Sequence, residues 1–286
     1  MKIIDVEREQ INFLKENGIE DSSIIIKELL CFLLQVDKVY LITHSNEEMD
    51  KEVYIKVVQN TKKIVGGKPI QYITNNQEFM KMNFYVDENV LIPQPDTEIL
   101  VYEVLKICKE YSNGVNILDL CTGSGAIAVS LDRILRKNCV DAKICASDIS
   151  KQALKIARKN SENNNANVKI IESDLLENIE YKKFDIIVSN PPYIRTDEIK
   201  NLSKQVKEEP YIALNGGIDG LHFYRKIIKE AKGYIKNNGY LCLEIGYNQM
   251  ESVLGIFKEN KEYKNLKQVK DWSGNDRCII AQKLEW

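Results

Sequence analysis

The sequence has few histidines and no closely spaced cysteines, the residues that most often bind zinc. It contains two histidines, and none of its seven cysteines belongs to a Cys-x-x-Cys pair. Zinc sites built from cysteine and histidine need such spacing, so no metal site is expected. An odd, scattered set of cysteines instead favours reduced, buried thiols in a reducing compartment.

Long apolar runs and an excess of positive charge are also missing. No apolar stretch reaches the length that spans a bilayer, and Met1–Arg8 becomes charged too early for a signal peptide. The formal net charge is -2 and the pI is near 5.9, so no overall positive field favours nucleic acid or a membrane surface. We expect a soluble, cytoplasmic, monomeric protein without a nucleic-acid or membrane partner.

Residues 1–77 carry the pattern of a small helical domain. A first helix runs from Asp5 to about Asn17, and residues 24–34 are apolar on nearly every face, which predicts the centre of a bundle. A third helix is predicted to open at 45–48 and to end at 66–67. No motif here carries chemistry. The domain fits a platform that recognises a macromolecule and equally an accessory domain that stabilises, because its charges form no clear patch.

The pattern changes to strands after residue 77. Residues 78–92 predict a β-hairpin linker, with 79–86 and 90–92 as strands around the polar turn Asp87-Glu88-Asn89. A rigid, proline-rich stretch follows, in which Asp96 or Thr97 is expected to cap the next helix.

Residues 93–286 alternate strands with helices and therefore predict an α/β domain. A parallel, doubly wound, Rossmann-like sheet is the architecture that this alternation builds. The last two strands flank a short turn and predict an antiparallel hairpin that closes the sheet. The predicted strands are 116–120, 143–148, 168–171, 184–188, 239–245, 266–272 and 277–282.

Polar residues follow four of these strands where each strand ends. Asp119 stands before Cys121-Thr122-Gly123-Ser124-Gly125, and Asp148, Asp174 and Asn190 lie at later strand ends. Ligands of doubly wound sheets bind beyond these ends. The glycines let a ligand approach the backbone, and the following helix favours an anionic group. Asp148 can hold the two hydroxyls of a ribose, and Asp174 can accept from the amino group of adenine.

Several of these residues also fit other roles. Residues 123–128 match the loose fingerprint of a nicotinamide dehydrogenase, and glycines serve any tight strand-to-helix turn. Asp174 equally fits a helix cap. For His222 and Arg225 a surface or capping role is favoured over catalysis. Glu244, at a strand end, fits either a pocket wall or a pairing with a nearby basic residue.

The stretch Ser189-Asn190-Pro191-Pro192-Tyr193 ends a buried strand rigidly. Neither proline donates an N–H, and each holds φ at about −65°. The turn presents the Asn190 carboxamide and backbone carbonyls as acceptors beside the Tyr193 ring. This arrangement predicts a clamp for a planar NH2 group.

The order of these motifs resembles that of class I S-adenosylmethionine-dependent methyltransferases. Three further stretches are similar to the HemK/PrmC family, the protein-(glutamine-N5) methyltransferases of peptide chain release factors. The resemblance implies a class I methyltransferase fold, a helical N-terminal domain that helps to engage the release factor, and S-adenosylmethionine, which leaves as S-adenosylhomocysteine. The three stretches are Leu91-Ile92-Pro93-Gln94-Pro95-Asp96-Thr97-Glu98, Glu209-Pro210-Tyr211-Ile212-Ala213-Leu214-Asn215-Gly216-Gly217-Ile218-Asp219-Gly220-Leu221, and Gly274-Asn275-Asp276-Arg277.

The resemblance also implies roles for the site residues. The clamp would bind the glutamine of the Gly-Gly-Gln motif through Asn190, Pro191, Pro192 and Tyr193, with Asn190, Pro191 and Tyr193 acting in catalysis. A general base is not assigned, because the extra proton can leave afterwards to water. The cofactor would be held by Asp119, Cys121, Thr122, Gly123, Ser124, Gly125, Asp148, Asp174 and Asn190.

A DNA adenine-N6 methyltransferase with the same clamp is the main alternative. The acidic pI and the lack of an evident DNA-recognition domain oppose it. A non-catalytic protein with a relict fold is opposed by the intact Asp119, Asp148 and Asn190.

Three positions depart from the family pattern. Cys121 stands where glycine is usual, Gln94 where arginine is usual, and Leu175 where an aromatic residue commonly stacks on adenine. A small cysteine is expected to fit the loop, whereas the loss of a stacking partner is expected to weaken cofactor affinity.

Overall fold

The structure is a computed structural model that describes residues 1–180 and 183–285. Tyr181, Lys182 and Trp286, which belong to the predicted range 93–286, lie outside the described residues. The helices are α1 Ile3–Glu16, α2 Ser22–Leu34, α3 Lys38–Thr43, α4 Lys51–Gly66, α5 Ile70–Thr74, α6 Thr97–Cys108, α7 Ala126–Lys137, α8 Lys151–Asn163, α9 Lys204–Lys207, α10 Tyr211–Leu214, α11 His222–Ala231 and α12 Met250–Glu259. The strands are β1 Gln77–Phe79, β2 Met82–Phe84, β3 Val115–Leu120, β4 Ala142–Asp148, β5 Val168–Glu172, β6 Phe184–Ser189, β7 Ile235–Glu244, β8 Tyr263–Lys270 and β9 Asp276–Lys283.

Residue contacts divide the chain into two compact units. The first contains Met1–Asn76 and Ser203–Glu208, and the second contains the remainder. Residues 203–208 therefore pack with the first unit, although the sequence pattern placed them in the domain 93–286. Within the described residues, none of the helices combines the length and apolar character needed to cross a membrane.

The first unit is a bundle centred on α2. This helix contacts α1, α3, α4 and α5, and buries Ile26, Leu29 and Leu30 completely. A helix with partners on several sides needs apolar residues on several faces, so the prediction of a central helix is confirmed.

The predicted start of the third helix, at 45–48, is wrong. Asp50 begins α4, because its side chain accepts hydrogen bonds from Glu52 N (2.7 Å) and Val53 N (3.2 Å). A separate short helix, α3, precedes it and begins where Asp37 accepts from Tyr40 N at 2.7 Å. Both aspartates satisfy free N–H groups at a helix start.

The predicted extent of the hairpin linker, 78–92, is also wrong. The strands are β1 and β2, and the turn between them is Met80-Lys81, with φ values of 50° and 60°. Two consecutive positive φ angles suit the twist of a two-residue hairpin turn. Asp87 forms a separate turn by accepting from Asn89 N at 2.9 Å, and 90–92 contains no strand.

The second unit is built on a seven-stranded sheet with the order β5-β4-β3-β6-β7-β9-β8. The five neighbouring strands β5, β4, β3, β6 and β7 are parallel to one another. Strand β9 pairs antiparallel with both β7 and β8. The doubly wound sheet and its closing antiparallel hairpin are therefore confirmed. Helix α12 was not predicted, and β8 begins at Tyr263, three residues before its predicted start.

The switch in strand order lies between β3 and β6. After β3 the chain adds β4 and β5 on one side, and then returns to place β6 against the other side of β3. Adjacent connections leave in opposite directions at this point, which opens a crevice beyond the strand ends. The glycine loop and the Asn190 clamp follow these two strands and therefore lie next to each other.

Candidate active site

A narrow cleft of about 80 Å³ lies beyond the ends of β3, β4, β5 and β6. Helix α10 and the segment after β2 contribute Ile212, Ala213 and Val90 to its walls. Among the predicted site residues, those that line the cleft are Cys121, Gly123, Asp148, Asp174, Asn190 and Pro192. Residues from four strand ends are thus brought together, as the doubly wound topology requires.

Asp119 does not line the cleft but lies beneath the glycine loop. It is fully buried, and its Oδ2 accepts from Thr122 Oγ1 (2.6 Å) and Ala128 N (3.2 Å). Burial raises the pKa of this carboxyl to about 7, although the two donors favour its charged form. Its other oxygen, Oδ1, has no hydrogen-bond partner among the described residues. Asp119 therefore shapes the turn between β3 and α7.

The two glycines of the loop have different surroundings. Gly125 has φ +82°, and a Cβ there would lie 3.2 Å from Ala157 of α8. A Cβ on Gly123, by contrast, would meet nothing within 4 Å. Thr122, Ser124 and Gly125 are buried, so Gly123 and Cys121 form the face of the loop toward the cleft.

Two of the three residues that depart from the family pattern have a left-handed backbone conformation. Cys121 has φ 57° and Leu175 has φ 47°, and both line the cleft. A side chain in this region is strained where glycine is not. The third departure, Gln94, donates from Nε2 to Ile92 O at 3.0 Å and closes a local turn.

Asp148 joins the end of β4 to the glycine loop. Its Oδ2 accepts from Gly123 N and its Oδ1 from Ser150 N, both at 2.9 Å. Burial raises the pKa of the carboxyl, and the N–H donors of Ser150, Gly123 and Ile149 oppose that rise. Asp148 is half-buried and borders the cleft, so it both positions the loop and offers its carboxylate to a ligand.

The Asn190 carboxamide is held at its NH2 end. Its Nδ2 donates to Thr97 Oγ1 at 3.2 Å, which leaves Oδ1 as the acceptor that Asn190 can offer. Asp96 or Thr97 was expected to cap α6, but Asp96, at the N-cap position, makes no side-chain cap hydrogen bond, and Thr97 Oγ1 accepts from Asn190 instead. Ser189, one residue before Asn190, donates to Leu120 O at 2.8 Å and ties the end of β6 to β3.

The rest of the clamp is fixed from behind. Pro191 is buried, Pro192 borders the cleft, and Tyr193 is half-buried against the core. The Tyr193 carbonyl accepts from Gln249 Nε2 at 2.9 Å. A Cβ on Gly216 would lie 2.7 Å from Tyr193 Cα, so the segment after α10 packs against the clamp only because residue 216 is glycine.

Three further residues near the site, Gln249, Arg277 and Phe223, were not identified as site residues from the sequence, whereas Glu244 was named there as either a pocket wall or the partner of a basic residue. Gln249 follows β7, and Glu244, at the end of β7, is 2 % exposed. Arg277 Nη2 donates to Asp271 Oδ2 and forms an ion pair with Asp96 Oδ2, both at 3.0 Å. Phe223 is an aromatic residue that lines the same cleft as Leu175. Only Arg277 had a local signal, the Gly274–Arg277 stretch.

The surface role favoured for Arg225 agrees with its geometry. It forms an exposed, two-pronged pair with Asp219, at 3.1 Å and 2.5 Å. Hydrogen bonding from Arg225 lowers the pKa of Asp219 to about 2. His222 packs edge-on against Phe223.

Two family models match this chain. The description "Methyltransferase small domain" matches residues 95–211, and "PrmC N-terminal domain" matches residues 5–74. A structure of the 16S rRNA N2 G1207 methyltransferase RsmC of T. thermophilus, with AdoMet and guanosine, resembles the chain with a TM-score of 0.52 and 18% identity. The match extends over 73% of this chain and 49% of the RsmC chain, and it is a similarity of fold.

Two curated relatives match nearly the whole chain. The release factor glutamine methyltransferase of Clostridium acetobutylicum is 41% identical over 98% of this chain and 98% of its own length. That of Thermodesulfovibrio yellowstonii is 40% identical over 99% of each. Identity of this extent, together with the strand-end cleft and the Asn190 clamp, shows that the chain belongs to the family of release factor glutamine methyltransferases.

Proposed function

We propose that this chain transfers a methyl group from S-adenosylmethionine to the side-chain nitrogen, N5, of the glutamine in the Gly-Gly-Gln motif of peptide chain release factors. The reaction would take place in the cytoplasm. The observation that carries the proposal is the Asn190 carboxamide, held by Thr97 at its NH2 end in the cleft that also contains Asp148.

The residues present fit S-adenosylmethionine. Its amino-acid part would lie beside Gly123, where an added Cβ would meet nothing within 4 Å. Beneath that loop lies Asp119 Oδ1, a buried acceptor without a hydrogen-bond partner among the described residues. Asp148 would hold the ribose hydroxyls, Asp174 the adenine amino group, and Phe223 would pack beside the base. When bound, this cofactor supplies an electrophilic methyl group on a sulfonium that is already a good leaving group.

The clamp would act on the acceptor amide, whose nitrogen lone pair is delocalised into its carbonyl. The Asn190 side-chain oxygen and the Pro191 carbonyl accept the two N–H groups and fix the direction of the nitrogen. Positive charge grows on this nitrogen as the N–C bond forms, so the same acceptors bind the transition state more tightly than the ground state. In-line positioning accounts for the rest, and the extra proton leaves to water.

The first unit is proposed to engage the release factor outside the clamp. Its exposed apolar side chains include Ile24, Val39 and Ile42, at 62%, 66% and 73% exposure. Apolar surface of this kind gains from burial against a protein partner. The adenine-N6 alternative has no support among the named relatives, which are release factor glutamine methyltransferases.

Labelled methyl transfer to intact release factor and to duplex DNA tests the proposal. We expect label on the release factor, located by mass spectrometry on the glutamine nitrogen, and none on DNA. Label on adenine, or on another residue type of the release factor, would overturn it. A release factor with the glutamine replaced by alanine is the matched control.

A further inference from the structure

Glu244 is a buried carboxyl at the end of β7 without a full set of partners. The residue is 2 % exposed, and its Oε2 atom has no hydrogen-bond partner among the described residues. A buried acidic group costs free energy unless it is compensated, so its retention beside the clamp needs a reason. Its neighbours supply one.

The carboxyl faces the two residues that define the clamp's orientation. Strands β6 and β7 pair Ser189 with Leu243, so Asn190 and Glu244, the next residues along the chain, lie at adjacent strand ends. Burial raises the pKa of the Glu244 carboxyl, and hydrogen bonding with Thr97 and Asn190 opposes that rise. Thr97 Oγ1 in turn accepts from Asn190 Nδ2 at 3.2 Å. Glu244, Thr97 and Asn190 therefore form one contiguous polar group behind the clamp.

A carboxamide has two ends of similar shape and opposite hydrogen-bonding character. Rotation by half a turn exchanges its oxygen with its NH2 group, so only its partners decide which end faces the cleft. Thr97 cannot decide this, because a hydroxyl both donates and accepts. An ionised carboxyl can only accept, and it therefore binds only the NH2 end of Asn190.

We propose that Glu244 is a positioning residue that selects the orientation of the Asn190 carboxamide and so keeps Oδ1 available to the methyl acceptor. The inference rests on the proposed function, since it assigns a role in the same site. Glu244 acts through Asn190 and does not itself touch the acceptor.

The charged and titratable groups around Glu244 determine when it can do this. Arg277 from β9 favours its ionised form and Asp96, before α6, opposes it; Tyr193, Tyr224 and Cys278 also face it. Burial is the largest influence and raises the pKa of Glu244 to about 7. Below that pH the protonated carboxyl becomes a donor, which can bind the oxygen of Asn190 and turn the amide the wrong way.

Glu244→Gln tests the role directly, because glutamine keeps the shape but offers both a donor and an acceptor. We expect kcat on release factor at pH 8 to fall about 10- to 100-fold, the worth of one hydrogen bond to a charged group. The KM for release factor and the calorimetric Kd of S-adenosylmethionine should stay within about threefold, since Glu244 does not line the cleft. The rise of kcat with pH through about 7 in the native protein should disappear in the variant.

Glu103→Gln is the matched control. Glu103 is 5% exposed, lies on α6 of the same unit, and is paired with Lys106 and Lys267 away from the cleft. Its replacement also removes a buried carboxylate, but we expect kcat within about twofold of the native value. An equal loss of kcat in both variants would assign the effect to lost buried charge and reject the positioning role.

A second measurement does not depend on methyl transfer. The side-chain 15N–H signals of Asn190, identified by their loss in Asn190→Asp, should shift in the native protein with a midpoint near pH 7. They should be insensitive to pH in Glu244→Gln. Signals that do not move between pH 5.5 and 8.5 in the native protein would overturn the inference. Failure to methylate any release factor would instead overturn the proposed function and leave this titration to decide the positioning role.

Discussion

The two sides of the strand-end cleft are assembled in different ways. On the cofactor side, Asp119 bonds to Thr122, three residues away, and Asp148 to Ser150, two residues away. On the clamp side, Asn190 bonds to Thr97, 93 residues away, and Tyr193 to Gln249, 56 residues away. The cofactor side is largely built from turns, whereas the clamp side depends on the completed sheet.

This difference separates two kinds of function. The glycine loop positions most of its groups through short-range bonds, and the bond from Gly123 N to Asp148, 25 residues away, is the exception. A clamp held by distant side chains has the correct orientation only when β3, β6, β7 and α6 are all in place. We therefore expect substitutions on the two sides to affect binding and turnover separately.

The largest expected effect concerns the clamp. Asn190→Ala removes the side-chain acceptor that stabilises the growing charge, so kcat on release factor should fall about 100- to 1,000-fold. The Kd of S-adenosylmethionine, measured by calorimetry, should change little. Asn138→Ala, at an exposed asparagine that caps its own helix end, is the control. Near-normal turnover by Asn190→Ala would contradict the mechanism.

The next effect concerns the cofactor side. Asp148→Ala removes an acceptor for the ribose and releases Gly123 N, so the Kd of S-adenosylmethionine should rise about 10- to 100-fold. Turnover at saturating cofactor should fall less than this. The exposed Asp141→Ala serves as the control, and an unchanged calorimetric Kd for Asp148→Ala would reject the ribose role.

Both sides should contribute to the pH dependence of stability. Burial raises the pKa of Asp119 on the cofactor side, and of Glu209 and Glu244 on the clamp side, each to about 7. An acid whose pKa is raised by folding favours the folded state below its ordinary pKa, and this advantage is lost as the pH rises through the folded value. The free energy of unfolding should therefore decrease between pH 5 and pH 8, by more than about 1.4 kcal/mol, the equivalent of one pKa unit.

Urea unfolding across this pH range measures the effect. Asp119→Asn and Glu244→Gln should each flatten part of the dependence, which would show how the two sides share it. A free energy of unfolding that rises from pH 5 to pH 8 would contradict the assignment of these three carboxyls.

A smaller effect is expected outside the cleft. Replacing Ile24, Val39 and Ile42 together by serine should raise the KM for intact release factor about 3- to 10-fold, because apolar docking area is lost. The KM for a short peptide with the Gly-Gly-Gln motif should not change. Equal kinetics of both substrates with native and variant enzyme would remove the docking role of the first unit.

The smallest effect concerns backbone strain on the cofactor side. Cys121 has φ 57°, a conformation that glycine adopts freely. Cys121→Gly should therefore stabilise the protein by about 0.5–1 kcal/mol, after the greater freedom of glycine in the unfolded chain is subtracted. Thermal unfolding measures this, and Cys139→Gly, at an exposed residue that also has φ 57°, tests whether the gain is general. A lower unfolding temperature for Cys121→Gly would show that the cysteine makes compensating contacts.

Features that depend on short-range patterns were predictable from the sequence. The order of strands and helices, the glycine loop after β3 and the proline-rich end of β6 follow from periodicity and from the geometry of glycine and proline. The resemblance to a known family added the substrate class. The hairpin at Met80-Lys81 escaped prediction because two residues that rarely adopt positive φ form its turn.

Tertiary structure alone decided the orientation of the clamp. Nothing near Asn190 in the sequence indicates that Thr97 holds its NH2 end or that Glu244 lies behind it. Likewise, Gln249 reaches the Tyr193 carbonyl only because α12 follows the end of β7. The sequence by itself determined which chemical groups stand at each strand end, because local periodicity defines those ends. Which groups face each other across the cleft was decided by the strand order β3-β6-β7, since hydrogen bonds between distant residues exist only after the sheet has formed.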